Sequence, residues 1–115
     1  MPSTIDEANE EPAILSAIDA YQLGYEFALP LIQVSPPESY LRRWFHDCAV
    51  GWADALCSLS VLAIKEEMDR PKALKVLRPA LPLLDQAQQA FHREYVENVK
   101  IPEFHSILDL LTDEY

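Results

Sequence analysis

From Leu41 to Leu62, apolar residues recur at intervals of four and three without a break: Leu41, Phe45, Cys48, Trp52, Ala55, Leu59 and Leu62. This spacing keeps one side of an α-helix apolar and does not fit the two-residue alternation of a half-buried strand. Trp44, Leu56, Ala63 and Ile64 flank the seam, so more than one neighbour must cover it. The pattern predicts a helix from about Pro37 to Met68, about 48 Å long at about 1.5 Å per residue. Such a helix forms the central spine of whatever surrounds it.

The rest of the chain is punctuated by proline, with only Gly24 and Gly51 as glycines. Pro12, Pro37, Pro71 and Pro102 each stand where a new helical pattern begins, the first-turn position at which a missing N–H does no harm. A first helix is predicted from about Pro12 to Val34, on Ile14, Ile18, Tyr21, Tyr25, Ala28 and Ile32, with Leu15, Phe27 and Leu31 widening the stripe and Pro30 kinking its last turn. Ser35-Pro36-Pro37-Glu38 matches a capping box at the start of the second. Asp69-Arg70-Pro71 opens a third helix to about Asn98, on Leu74, Leu77, Leu81, Leu84, Phe91 and Tyr95, with Pro79 and Pro82 marking a kink or break near Arg78. A short fourth helix, Pro102 to about Asp113, carries Phe104, Ile107, Leu108 and Leu111. The fold class that follows is all-α: an antiparallel four-helix bundle with a long central second helix, one domain over residues 1–115, residues 1–11 forming an acidic, flexible lead. At 115 residues the chain buries enough surface to need no disulfide or metal.

Net charge is −10, and its distribution is uneven. Residues 1–37 hold six acids and no base, residues 101–115 four acids and no base, and residues 38–100 nine of each. Phosphate backbones are bound by clustered Lys and Arg, so this balance argues against nucleic acid. The acidic ends read either as solubilising segments or as a surface, centred on Glu10, Glu11, Asp113 and Glu114, that docks a basic protein. Two basic groups, Arg42 with Arg43 and Lys72 with Lys75 and Arg78, read as surface ion-pair partners or as a small anionic contact. The N-terminus lacks the basic and apolar pattern of a targeting signal, and uninterrupted apolar runs fall short of the roughly 20 residues of a membrane span. A cytoplasmic location is expected.

Chemistry-bearing groups are sparse. Cys48 and Cys57, nine residues apart on one helix, face opposite sides at about 180° and read as buried, reduced thiols. His46, His92 and His105 lack a Glu three residues before them, so the paired Glu-x-x-His of a di-metal bundle is missing, and they read as surface or hydrogen-bonded residues. Asp47 and Asp54 share a face of the second helix and read as solvated. Gln88, the polar interruption of the third seam, needs a hydrogen-bond partner within the fold or across a subunit interface. Trp44 and Trp52, near one face, offer an interface anchor. No catalytic residue, metal or cofactor is expected.

In the order of its parts, residues 20–112 resemble the small four-helix-bundle family that includes the accessory variability determinant of diversity-generating retroelements and the ribosomal intervening-sequence proteins. The likeness rests on Tyr21 to Leu31 with Pro30 near its end, the Leu41-Arg42-Arg43 opening of a long helix, the turn at Asp69-Arg70-Pro71, a Leu-rich third helix and a short last one. The resemblance implies a bundle and association into rings, and for the retroelement accessory a basic surface that binds a reverse transcriptase and nucleic acid. The charge of −10 departs from that surface. The expectation is a small non-enzymatic protein-binding module (an adaptor, accessory subunit or immunity-type inhibitor) docking a basic partner and self-associating. The alternative is an accessory of a reverse transcriptase or other nucleic-acid machinery.

Overall fold

The computed structural model describes residues 2–36 and 38–113, with side chains from residue 10 onward. Every regular element among them is helical: α1 (Pro2–Ile32), α2 (Tyr40–Glu67), α3 (Arg70–Leu77), α4 (Ala80–Ala90) and α5 (Ile101–Thr112), the last entered through a π-helical turn at Val96–Lys100.

The spine is α2. Its start is set by Ser39, whose hydroxyl oxygen accepts the Arg42 N–H at 3.4 Å. The cap therefore falls four residues after the expected Ser35, which instead donates its hydroxyl to the Leu31 carbonyl, closing the end of α1. Pro37, expected at the first turn, lies outside the described residues. At the far end Met68 adopts a left-handed conformation, φ 52°, the one positive φ among the described non-glycine residues. Its N–H reaches the Ile64 carbonyl, that of Asp69 the Ala63 carbonyl, and these satisfy the last turn. Asp69 then caps α3 by accepting the Lys72 N–H at 3.0 Å, as the Asp69-Arg70-Pro71 reading requires.

Proline placement explains most departures from expectation. α1 begins at Pro2, so Pro12 lies inside a helix rather than at its first turn. The third predicted helix is two helices, broken at Arg78-Pro79. It also stops at Ala90, eight residues before Asn98, because Gln88 turns its side-chain amide onto the backbone of Arg93. Pro102 sits in the first turn of α5, and the turn before it widens, with the Ile101 N–H reaching back to Val96. That widening relieves the clash a proline ring makes with the carbonyl four residues back.

Packing is organised around α2. The main cluster joins Ala53, Cys57 and Ala63 of α2 to Leu77, Leu83, Leu84, Val96, Phe104 and Leu111 from the later elements. A smaller cluster joins Ala28 of α1, Phe45 of α2 and Ala90 of α4. Tyr25 links the two: its ring lies 4.9 Å from Phe45 and 5.2 Å from Trp52, and its hydroxyl donates to Gln86 of α4. By length and composition α2 is apolar enough to cross a membrane, with a mean hydropathy of 1.5 over its best window. In the fold α1 and the α3–α5 elements cover part of it, and Tyr40, Trp44 and Val61 stay exposed.

The two glycines set the spacing between α1 and α2. A β-carbon on Gly24 would come within 2.6 Å of the Cys48 sulfur, and one on Gly51 would enter the Tyr21 ring. Each helix thus offers the other a bare backbone, and the pair can approach closely.

Candidate partner-binding face

The acidic ends are brought to one corner of the molecule. Glu11 adds its charge to those of Glu67 and Asp69 around Lys72, whose pKa is raised chiefly by its hydrogen bonds to Glu67. Asp113 offers its carbonyl to Arg70 at 3.3 Å. Glu10 borders a small cleft with Cys57, Lys65 and Glu103. Glu114 lies outside the described residues. The corner is therefore mixed in sign, with Lys65, Arg70 and Lys72 among the acids.

The two basic groups are not brought together. Arg42 and Arg43 stand in the first turn of α2, and Lys72 lies beyond its other end, paired with Glu67 at 2.7 Å. Arg42 is half-buried, and its guanidinium donates to three carbonyls: Ile32 at 3.1 Å, Ser35 at 3.2 Å and Ala90 at 3.5 Å. The Ile32 and Ala90 carbonyls lie at the C-terminal ends of α1 and α4, where a cation is favoured and free acceptors need partners, and that of Ser35 lies in the turn after α1. Arg42 thus ties three segments together. Arg43, Lys75 and Arg78 are exposed.

The remaining titratable groups are dispersed. Burial raises the pKa of the Cys48 thiol, and burial with the nearby Asp54 and Glu103 charges pushes Cys57 up to about 11. A thiol so shifted is a poor nucleophile near neutral pH. The opposed orientation of the two cysteines is realised: Cys48 meets Gly24 of α1, and Cys57 joins the cluster containing Phe104 of α5. Asp47 and Asp54 do not converge. Asp47 pairs with His46 Nδ1 at 2.9 Å, and Asp54 with Lys100 Nζ at 3.0 Å. His46 is not at the surface: it is 3% exposed, hydrogen-bonded through Nδ1 to Asp47, while its Nε2 makes no hydrogen bond within the described residues. His92 and His105 are exposed. Among the described residues no three His, Cys, Asp or Glu side chains stand together as a metal site. Gln88 finds its partner inside the fold, donating to the Arg93 carbonyl and accepting its N–H, both at 3.0 Å.

What does converge is apolar and outward-facing. On α1, Leu23, Phe27 and Leu31 recur every four residues along one side, all exposed, and the exposed Val34 follows in the turn after the helix. Beside them, at the start of α2, Tyr40 and Trp44 are exposed as well. Phe27 and Trp44 pair across the two helices with ring centroids 5.5 Å apart. Farther along the same junction lies an open groove between α1 and α2, lined by Ala13, Ala17, Tyr21, Gly51, Asp54 and Ala55. Trp44 and Gly51 are seven residues apart, so the aromatic pair and the groove lie on one side of α2.

Of the two tryptophans, Trp52 is half-buried against Tyr25, and Trp44 is the exposed one. Spacing alone assigns Phe27 and Leu31 to a broad core stripe and leaves Leu23 out of it. A second apolar stripe from Leu23 to Val34, about 60° or more from the Ala28–Ile32 side, was the signal present in the sequence. No family model, curated protein or solved structure matches the chain.

Proposed function

We propose that this chain is a non-catalytic protein-binding module, an antiparallel four-helix bundle in which α3 and α4 form one bent arm, and that it docks its partner on the α1–α2 face around Phe27 and Trp44. The observation that carries the reading is that aromatic pair, exposed across the α1–α2 junction beside the outward-facing Leu23 and Leu31. Exposed aromatic anchors surrounded by apolar neighbours are what interfaces concentrate their binding energy in. The protonated thiols and the separately paired Asp47 and Asp54 fit a scaffold role. The acidic corner at Glu10, Glu11 and Asp113, lying at the other end of α1, steers a basic partner rather than anchoring it.

The test is affinity purification of the full chain from its source cells, wild type beside Trp44→Ala and Phe27→Ser, with melting temperatures compared. Recovery of the wild-type partner should fall about tenfold or more in either variant while both stay folded. Undiminished recovery with folded variants overturns the reading. Salt-sensitive binding of RNA that requires Arg43, Lys75 and Arg78 would transfer the function to nucleic-acid machinery.

A further inference from the structure

The α1–α2 face combines three properties: apolar anchors, an open groove and a charge weighted toward acid. α1 carries no lysine or arginine, Arg42 turns its guanidinium to carbonyls, and the bases at this face are the exposed Arg43 at its edge and Lys100, which is paired with Asp54 of the groove. Exposed acids stand along the face: Asp19 and Glu26 on the outer side of the α1 strip, Glu10 at the far end of the groove, and Asp47 one turn after Trp44. Ala13, Ala17 and Ala55 leave the groove open beside Ile14 and the Tyr21 ring, which lies against Gly51, so a helix can rest along the junction. From Glu10 to Phe27 the junction runs for about 25 Å, roughly five helical turns.

Resting on the protein-docking reading above, we infer that the occupant of this face is a cationic amphipathic helix of another protein. Its apolar side covers Phe27, Trp44 and the groove, and its flanking lysines or arginines meet Asp19, Glu26, Asp47 and Glu10. Helix-in-groove recognition uses anchors at i, i+3 or i+4 and i+7 of the docked helix. A second copy of this chain is disfavoured at the same face, because two such surfaces would set acid against acid around an apolar centre. The charge pattern thus decides between two occupants that apolar area alone would admit.

The experiment uses the full chain and three synthetic helical peptides of about 18 residues, long enough to span the junction. One has a leucine face flanked by lysines. The second keeps the leucines with glutamates in place of the lysines. The third keeps the lysines with alanine in place of leucine. Binding is followed by tryptophan fluorescence, to which exposed Trp44 contributes, at low and physiological salt. The lysine-flanked leucine peptide should bind at least about tenfold tighter than either control, and more weakly as salt rises. The triple variant Asp19→Lys, Glu26→Lys, Asp47→Lys should erase or invert the preference for lysine over glutamate. Leu23→Asp, at a position 71% exposed and thus outside the core, should weaken the lysine-flanked peptide without unfolding the chain.

Equal affinity for the lysine and glutamate peptides, or binding unaffected by Leu23→Asp, overturns the inference. Sedimentation showing a dimer that Leu23→Asp dissolves would put a second copy on the face instead. If the peptides fail while partner recovery still depends on Trp44, the cationic helix is wrong and the docking reading survives. If recovery is also independent of Trp44, both fall.

Discussion

On the side of α2 that faces α3, α4 and α5, the neighbours contribute large apolar side chains that leave solvent completely: Leu77, Leu84, Val96 and Phe104 are each 2% exposed or less. On the side that faces α1, the one fully buried α1 residue among those whose side chains are described is Ala28, while Leu23 and Phe27 are more than half exposed. The same spine therefore supports two kinds of contact. One is an interdigitated core, where each lost methylene leaves a void. The other is a close approach at Gly24 and Gly51, where Cys48 and Tyr21 of the facing helix sit against bare backbone, while Leu23, Phe27 and Leu31 point away. The difference separates the side that stabilises the fold from the side free to meet a partner.

The strongest break of this contrast comes from the buried side. Leu77→Ala should destabilise the chain by about 2–5 kcal/mol, since a fully buried leucine leaves both a transfer loss and a cavity. Urea unfolding with an unchanged slope is the measurement. A loss under about 1 kcal/mol would mean that the α3–α5 side is not the stabilising core.

This contrast was partly legible in the sequence. Buried Phe45, Cys48, Ala55 and Leu62 follow from the 4-3 spacing of the second helix, since periodicity reports which residues share a side. The helix break at Arg78-Pro79 and the cap at Asp69 follow from local chemistry. What periodicity does not report is how wide a stripe a neighbour covers. Leu15, Phe27 and Leu31 belong to the α1 stripe by spacing and are exposed in the fold, because a single partner helix covers only part of the circumference. Gln88 and Arg42 were ambiguous for another reason. Their partners, the backbone of Arg93 and the carbonyls of Ile32, Ser35 and Ala90, are set by where helices end, and ends are poorly encoded. The Phe27–Trp44 pair joins residues from two helices, and only the fold brings them together.

The cysteines sharpen the comparison because one stands on each side. Cys57, its pKa pushed up to about 11 from an ordinary 9.0, stays protonated in the folded state at pH values where the unfolded chain has released its proton. The unfolded state then binds fewer protons, so stability falls as pH rises from about 9, by roughly 2 kcal/mol at pH 11. Cys57→Ala should remove that part of the alkaline loss, read as the difference between the two stability–pH curves. Parallel curves for the variant and the wild type would show that burial does not hold the proton there.

The α1 side responds to added volume rather than to lost volume. In an open helix Gly51→Ala would stabilise by up to about 1 kcal/mol, since alanine is the better helix former. Here the new methyl enters the Tyr21 ring, and overpacking of this kind typically costs about 1–3 kcal/mol. A net loss of about 1 kcal/mol is expected. In a Tyr21→Ala background the obstacle is gone, and the same substitution should become neutral or stabilising. A double-mutant cycle measures the change of sign. The same loss in both backgrounds would mean that close approach at Gly51 is not what seats α1.

The smallest effect is expected where the contrast is sharpest, at Leu23. It shares α1 with Ala28 and is 71% exposed, so replacing it with serine removes little buried surface. Surface changes of this type usually stay within about 0.5 kcal/mol. Leu83→Ser, at a leucine 6% exposed in the core cluster, provides the opposite extreme. Both variants are to be unfolded in urea at two protein concentrations well separated from each other. If Leu23→Ser costs as much as a core substitution, the α1 strip is covered in solution. Concentration then identifies the cover: a loss that grows with protein concentration places a second copy on the strip, because association stabilises by mass action. A loss independent of concentration places the cover within the chain itself. A negligible loss at both concentrations leaves Leu23, Phe27 and Trp44 exposed on a folded monomer, the state that a docking face requires.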